Sequence, residues 1–327
     1  MQYAITFLVR RLGQGIIIVL IVMIVVFCLL RVIPGDPALL IAGAMAPEER
    51  KAEVAKELGL TDPIPIQFFR YFMDVIQGDF GKSYIRTKGG STSAGSASSL
   101  INRGTRADPI ELILERLPKT LILAGVTLMM SVSISLVLGV WAGLNQGRWP
   151  DKVILYFTST SVSLPNFWLA LIFAMIFSLW LGLLPAVGYK GPIYAIMPAM
   201  VLSAEMVPFL TRGLSVAVSA SIRERYVSVG FLRGLSRRSI IFGHVLKNAS
   251  IPVLNLLGIQ LGTLLGGVMI VEFVFDYPGV GHLALHSVFD RDFPVVQAIV
   301  VLTSAVFVII NILVDLLSSY IDPRLEY

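Results

Sequence analysis

The chain has 327 residues, 56% of them hydrophobic and only 14% charged, with a mean hydropathy of +0.80. An ordinary globular domain is about 25% charged, so this chain lacks the polar surface of a water-soluble particle, and soluble enzyme classes are excluded. The formal net charge of +5 is read by its placement between apolar runs; no nucleic-acid partner is inferred from it.

A spanning helix needs about 20 mostly apolar residues. Six stretches qualify, at 12–30, 121–143, 153–181, 196–216, 253–275 and 295–317. The predicted fold is all-α: a polytopic membrane bundle of about six transmembrane helices, with membrane lipid around it and an external segment between spans one and two. The predicted divisions are an N-terminal transmembrane helix (1–31), an external segment (32–117) and a five-helix core (118–327).

Span one follows Arg10 and Arg11, as a signal peptide would. Its apolar run exceeds the usual 7–15 residues, and Arg31-Val32-Ile33-Pro34-Gly35-Asp36-Pro37 after it is no small-x-small cleavage site, so it is read as a retained anchor. Cys28, inside this run, is the one cysteine; it permits no internal disulfide or thiolate cluster and reads as an apolar filler.

The next segment opens with acidic-basic helical text over 47–59 and the proline-spaced Asp62-Pro63-Ile64-Pro65. The glycine- and serine-rich run at 89–99 reads as a flexible linker. Gly78-Asp79-Phe80-Gly81-Lys82-Ser83 holds a Gly-Lys-Ser triplet, but a phosphate-binding loop needs glycine at position 76, which is Ile76. No nucleotide site is expected there.

Lysine and arginine in short loops set direction. Arg10 and Arg11, Arg148 and Lys152, and Arg223, Arg225, Arg233, Arg237, Arg238 and Lys247 fall in alternate connections, whereas the loops at 182–194 and 276–294 carry only Lys190 and Arg291. Both termini are predicted to be cytoplasmic. Within or near the spans the acids are Glu205, Glu272 and Asp315, too few for a proton relay. Glu205 is predicted to face a wet cavity or a neighbouring helix, and Glu205, Glu272 and Asn166 are the candidate pathway residues. His282 and His286 have i, i+4 spacing but no acidic partner at matching helical spacing, so they read as interfacial rather than metal-binding. No catalytic residue, metal site or cofactor site is expected.

The inward loop at 218–252 is too polar for the membrane and too apolar for plain solvated chain. Tyr226, Val229 and Gly230 mark one face of a short amphipathic helix, widened by Phe231 and Leu232. Gly234 permits a sharp turn, and Ser236 is placed as N-cap of a second helix through Lys247. Such a helix lies on lipid or docks in a partner's groove. Gly258, Gly262, Gly266 and Gly267 in span five are spaced for close helix contact or static packing.

Tyr226-Val227, Gly234-Leu235-Ser236, His244-Val245-Leu246-Lys247-Asn248-Ala249 and Pro252 resemble the cytoplasmic loop of permease subunits in bacterial ATP-binding-cassette importers, peptide and nickel branch. The family's Glu-Ala-Ala core falls on Ser228, Val229 and Gly230, so the acid is missing and the small residue is kept. Ile33-Pro34-Gly35-Asp36-Pro37, 78–83, Arg116-Leu117-Pro118-Lys119-Thr120, Pro165-Asn166-Phe167-Trp168, Leu184-Pro185, Glu272-x-x-Phe275-x-x-Pro278-Gly279-Val280-Gly281, Arg291-Asp292-Phe293-Pro294-Val295-Val296-Gln297 and Asp322-Pro323-Arg324 look like the same branch, in order. The glycine–serine run looks like an insertion.

The resemblance implies a type I ATP-binding-cassette importer permease fold in a bacterial inner membrane. It implies a homologous second permease subunit, two ATP-binding subunits that carry ATP and its hydrolysis, and a periplasmic or lipid-anchored solute-binding protein. The ATPase-coupling loop would hold Glu224, Tyr226, Val227, Val229, Gly230, Phe231, Gly234, Leu235 and Ser236. The solute would be a short peptide, with nickel complexes, glutathione or opine-like compounds as alternatives. The rival classes are an ion-coupled secondary carrier, which would transport alone, and an intramembrane enzyme, which would need convergent polar residues at one depth.

Overall fold

The computed structural model describes residues 2–32, 37–43, 45–57, 59–87 and 106–321. Its helices are α1 (Gln2–Val32), α2 (Pro37–Ala42), α3 (Glu48–Glu57), α4 (Ile64–Ile76), α5 (Pro109–Leu144), α6 (Trp149–Val162), α7 (Asn166–Phe173), α8 (Ile196–Ser221), α9 (Arg225–Leu232), α10 (Arg237–Ile240), α11 (Leu246–Val274), α12 (Val280–Phe289) and α13 (Phe293–Ile321). Wider π-helical turns extend α7 over Ala174–Trp180 and join α10 to α11 over Ile241–Val245. Among the described residues the extended pairing is one antiparallel bridge, Thr87 to Arg106. Ile33 to Asp36, the 89–99 run and Asp322-Pro323-Arg324 lie outside the described residues.

Among the described residues five helical stretches are long and apolar enough to cross a membrane: Val9–Val32, Pro109–Leu144, Pro192–Ser221, Arg237–Val274 and Phe293–Leu316. The pair Trp149–Val162 and Asn166–Trp180, bent by 103°, makes a sixth if taken as one span. The all-α, six-span expectation holds, with two corrections of detail. The apolar run 153–181 is not one straight helix, because Pro165 lacks an amide hydrogen and disfavours helical geometry at Leu164. Pro165 itself is extended, at φ −60 and ψ 140. The helix placed through Lys247 and the span placed from 253 are one continuous helical stretch, Arg237–Val274. Pro252 removes a single backbone bond inside it, a local cost of about 3 kcal/mol, while Val245 and Ala249 beside it are buried.

The chain divides into two compact units, one of Met1–Pro118 and Leu283–Val308, the other of Lys119–His282 and Ile309–Tyr327. In the first, α2 and α3 close a small core of Ala38, Ile41, Ala42 and Val54. The end of α1 packs Leu30 on Phe293 and Val296. Helix α4 is clasped to α1, with the Phe27 ring 5.3 Å from Phe68 and 5.7 Å from Tyr71.

In the second unit most of α8 is buried, whereas α5 and α11 leave most of their apolar surface exposed, as helices solvated by lipid do. The core joins Leu123, Leu169, Met197, Leu202, Met206, Leu264 and Val268. Helix α5 reaches α8 through Gly139 and Gly143, where an added Cβ would stand 2.9 Å from Leu214 Cβ and 2.7 Å from the Ser215 carbonyl oxygen. That small-x-x-x-small contact lets two backbones approach. Of the span-five glycines, Gly258 faces Val314, Gly267 faces Leu202 and Glu205, and Gly266 faces open space.

Candidate functional site

The loop between α8 and α11 is built around a buried pair. Val227 and Gly230, three residues apart on α9, face inward. Val227 joins a core of Leu214, Val218, Ile240, Val245 and Ala249, against which Tyr226 also packs. A Cβ on Gly230 would lie 3.2 Å from Ile240 Cδ1, so a small residue here keeps α9 down on α10. The helix ends in a Schellman turn: Gly234, at φ 76, donates its amide to Phe231 O at 3.0 Å, and Leu235 donates to Gly230 O at 3.1 Å. Ser236 then caps the next helix, its hydroxyl oxygen accepting from Ser239 N at 3.3 Å. Glu224 stands extended at the start of α9 with no side-chain cap bond.

The face predicted from Tyr226, Val229 and Gly230 is split in the structure, since Gly230 is buried and Val229 is not. Val229 is 45% exposed and joins Phe231 (51%) and Leu232 (88%) facing outward. Arg233, Arg237 and Arg238, which follow in the chain, are exposed as well. Adjacent exposed apolar side chains of this kind are a feature of interaction surfaces. The loop is also tied to its neighbour: Gln146 Oε1 accepts from Arg223 Nη2 at 2.8 Å and from the Ser219 hydroxyl. Nothing in the sequence marked Gln146, because a lone glutamine in a short turn has no pattern.

The two candidate pathway carboxylates have different surroundings. Glu205, partly exposed on α8, accepts a hydrogen bond from Asn166 Nδ2 at 2.7 Å, and Gly267 leaves room beside both. Asn166 is the first residue of α7, where the bent span restarts. Glu272 is fully buried. Its Oε1 accepts from the Thr120 hydroxyl at 2.8 Å, and its Oε2 from the amides of Gly281 at 2.7 Å and His282 at 3.1 Å. A carboxylate on the first amides of α12 offsets the positive end of that helix. Glu272 is thus a buried anchor for the turn at 275–279. Gly279 is obligatory there, since a Cβ would collide with the Glu272 carboxylate. Two motifs distant in sequence, at 116–120 and 272–281, meet in this contact.

In the other unit the Gly-Lys-Ser triplet is fully engaged. Ser83 donates its hydroxyl to Asp292, Tyr84 N donates to Asp292 Oδ1 at 2.9 Å, and Lys82 Nζ pairs with Asp108 at 3.1 Å. Burial pushes the Asp292 carboxyl above the usual carboxylate range, against the opposing pull of the bonds from Ser83 and Tyr84. His282 does have an acidic partner, Asp276 Oδ1 at 2.8 Å, six residues away through the turn rather than along a helix. Among the described residues no group of three or more His, Cys, Asp and Glu side chains has a metal-binding arrangement.

Residues 135–327 match the family described as binding-protein-dependent transport system inner membrane component, and residues 4–124 match the N-terminal region of such components. The chain is similar to the probable peptide ABC transporter permease protein y4tP of Sinorhizobium fredii, 33% identical over 98% of this chain and 99% of that protein. It is also similar to the glutathione transport system permease protein GsiC, at 36% identity in Salmonella paratyphi A and 34% in Escherichia coli K12, each over 98% of this chain and 99% of that protein. In fold it resembles the inward-facing MetNI methionine ABC transporter, with a TM-score of 0.56 and 17% identity over 65% of this chain and 97% of the matched chain.

Proposed function

We propose that this chain, which belongs to the family of binding-protein-dependent transport system inner membrane components, forms half of a translocation pathway for short peptides and is opened and closed by ATPase subunits docked on α9. It is a multi-pass permease subunit of an ATP-binding-cassette importer. A homologous second permease completes the pathway, a solute-binding protein delivers the cargo, and two ATP-binding subunits supply the energy. Both termini and the α9 loop face the cytoplasm, a reading that the lysine and arginine distribution supports.

One observation carries the docking claim: α9 is fixed from below by Val227 and Gly230 while presenting Val229, Phe231 and Leu232 to the outside. A rigidly seated helix transmits a push to α8 and α11, to which its core residues belong, as packed bundles rock as units. Asn166 and Glu205 line the pathway beside Gly267. Peptide cargo is favoured by the named relatives, with glutathione, itself a small peptide, as the second reading.

The test uses a Cys28→Ala background carrying Phe231→Cys or Leu232→Cys, co-expressed with the ATPase and the second permease. Cross-links to the ATPase through a thiol-to-amine reagent, changing in yield with ATP, are expected. Failure to cross-link from either position, in a complex that still transports a tripeptide, overturns α9 as the docking element.

A further inference from the structure

Outside the α9 loop and the membrane carboxylates, the first unit contains a cavity of about 350 Å³ walled by α1, α4 and the 79–84 turn. That is within the range of small-molecule sites, about 300–1,000 Å³. Helix α4 turns one polar face toward it, since Gln67, Arg70, Tyr71 and Asp74 follow at i, i+3, i+4 and i+7 and all four line it. The opposite charges are unevenly spent. Arg70 is shared with Asp62 at 2.8 Å, and Arg31 donates Nε to Gln67 Oε1 at 2.9 Å while stacking over Phe27 at 4.8 Å. Among the described residues the Asp74 carboxylate makes no hydrogen bond or ion pair, and the Tyr71 hydroxyl is buried with no partner. Burial pushes the Tyr71 hydroxyl up to about 12, so it stays a proton donor at neutral pH.

A buried donor without a partner is costly, and a cavity wall is where a ligand can relieve it. Aromatic walls from Phe27, Phe80 and Tyr84 suit the apolar part of a small solute. We propose that this cavity binds a zwitterion, with Arg31, Arg70 and Tyr71 holding its oxyanion and Asp74 its ammonium. Two sources carry that chemistry: a free short peptide and the headgroup of phosphatidylethanolamine. Binding here is independent of transport, so it stands or falls separately from the ATPase-coupled reading.

The experiment uses the full chain in nanodiscs of phosphatidylglycerol, with radiolabelled tri-alanine, its N-acetyl form and its C-terminal amide as probes. Saturable tri-alanine binding is expected. Asp74→Asn should weaken tri-alanine about tenfold and leave the N-acetyl form unchanged, the size of one charge-assisted hydrogen bond. Tyr71→Phe, which keeps the ring stacked on Phe27, and Arg70→Gln should weaken tri-alanine but spare the amide. A second arm adds phosphatidylethanolamine: displacement of the peptide, and co-purification of that lipid with the wild type but less with Asp74→Asn, would assign the site to the headgroup. If neither zwitterion binds, or if every variant weakens all probes alike while thermal unfolding stays unchanged, the site does not exist.

Discussion

The Ser161 hydroxyl shares its one proton between the carbonyl oxygens of Ala204, at 3.0 Å, and Thr158, at 2.7 Å. The Ala204 carbonyl lies four residues before Pro208, inside α8, so it is the one that proline deprives of its helical donor. A side chain on α6 thus replaces a bond that α8 cannot make for itself, as membrane proteins must do wherever proline interrupts a spanning helix.

Ser161→Ala should therefore destabilise the permease by about 1–2 kcal/mol, the cost of an orphaned carbonyl. In a Pro208→Ala background, where the backbone bond is restored, the same change should cost much less. Thermal unfolding of the four proteins of this cycle in detergent checks it. Equal costs in both backgrounds would show that the two residues are uncoupled.

The Glu272 cluster should behave as a single unit. Thr120→Val removes a hydroxyl that donates to Glu272 Oε1 and accepts from Val280 N at 2.8 Å, and should cost about 1–3 kcal/mol. Gly279→Ala forces a Cβ into the Glu272 carboxylate and should abolish folded protein, read as the yield of monodisperse chain in size-exclusion chromatography. Gly266→Ala, with open space around it, should leave that yield unchanged.

Acid stability should carry the mark of Asp292. Its folded-state pKa is raised by burial above the ordinary 3.8, so the folded protein holds this proton more tightly than the unfolded chain does. Its contribution to stability is then complete below 3.8 and is lost as pH rises through the folded value. Wild type minus Asp292→Asn, compared by melting temperature across pH 4 to 8 (a range set by about the carboxylate region upward), should fall with rising pH and then level. A difference that instead grows with pH would reverse the assigned sign.

Coupling and assembly should separate at α9. Phe231→Ala and Leu232→Ala remove exposed side chains, so membrane insertion and melting temperature should hold while peptide-stimulated ATPase activity of the complex falls about tenfold, as for an interface anchor worth 1–2 kcal/mol. Gly230→Leu should instead lower stability, because its inner face has no space beyond Ile240.

Much of this was legible from the chain alone. Long apolar runs announce spans because a bilayer leaves the backbone no other partner than itself, and the Gly234 turn with its Ser236 cap was readable because only certain residues suit those backbone positions. Less was legible where periodicity is silent. Pro165 lies inside an apolar run, so hydropathy concealed the 103° bend at the third span. The anchoring role of Glu272 was hidden because its three hydrogen-bond donors come from Thr120, Gly281 and His282, one of them on a distant helix.

The sequence by itself determined the family, the solvent and the six apolar crossings, since those follow from composition, run length and ordered motifs. Only the tertiary structure decided which side chains are spent and which are available. Ser83, Lys82 and Glu272 are consumed as internal anchors, whereas Phe231, Leu232 and Asp74 are left facing outward or into a cavity. The reason is physical: a hydrogen bond depends on where two groups meet in space, and separations of 152 and 209 residues, as in Thr120–Glu272 and Ser83–Asp292, leave no periodic trace in the chain.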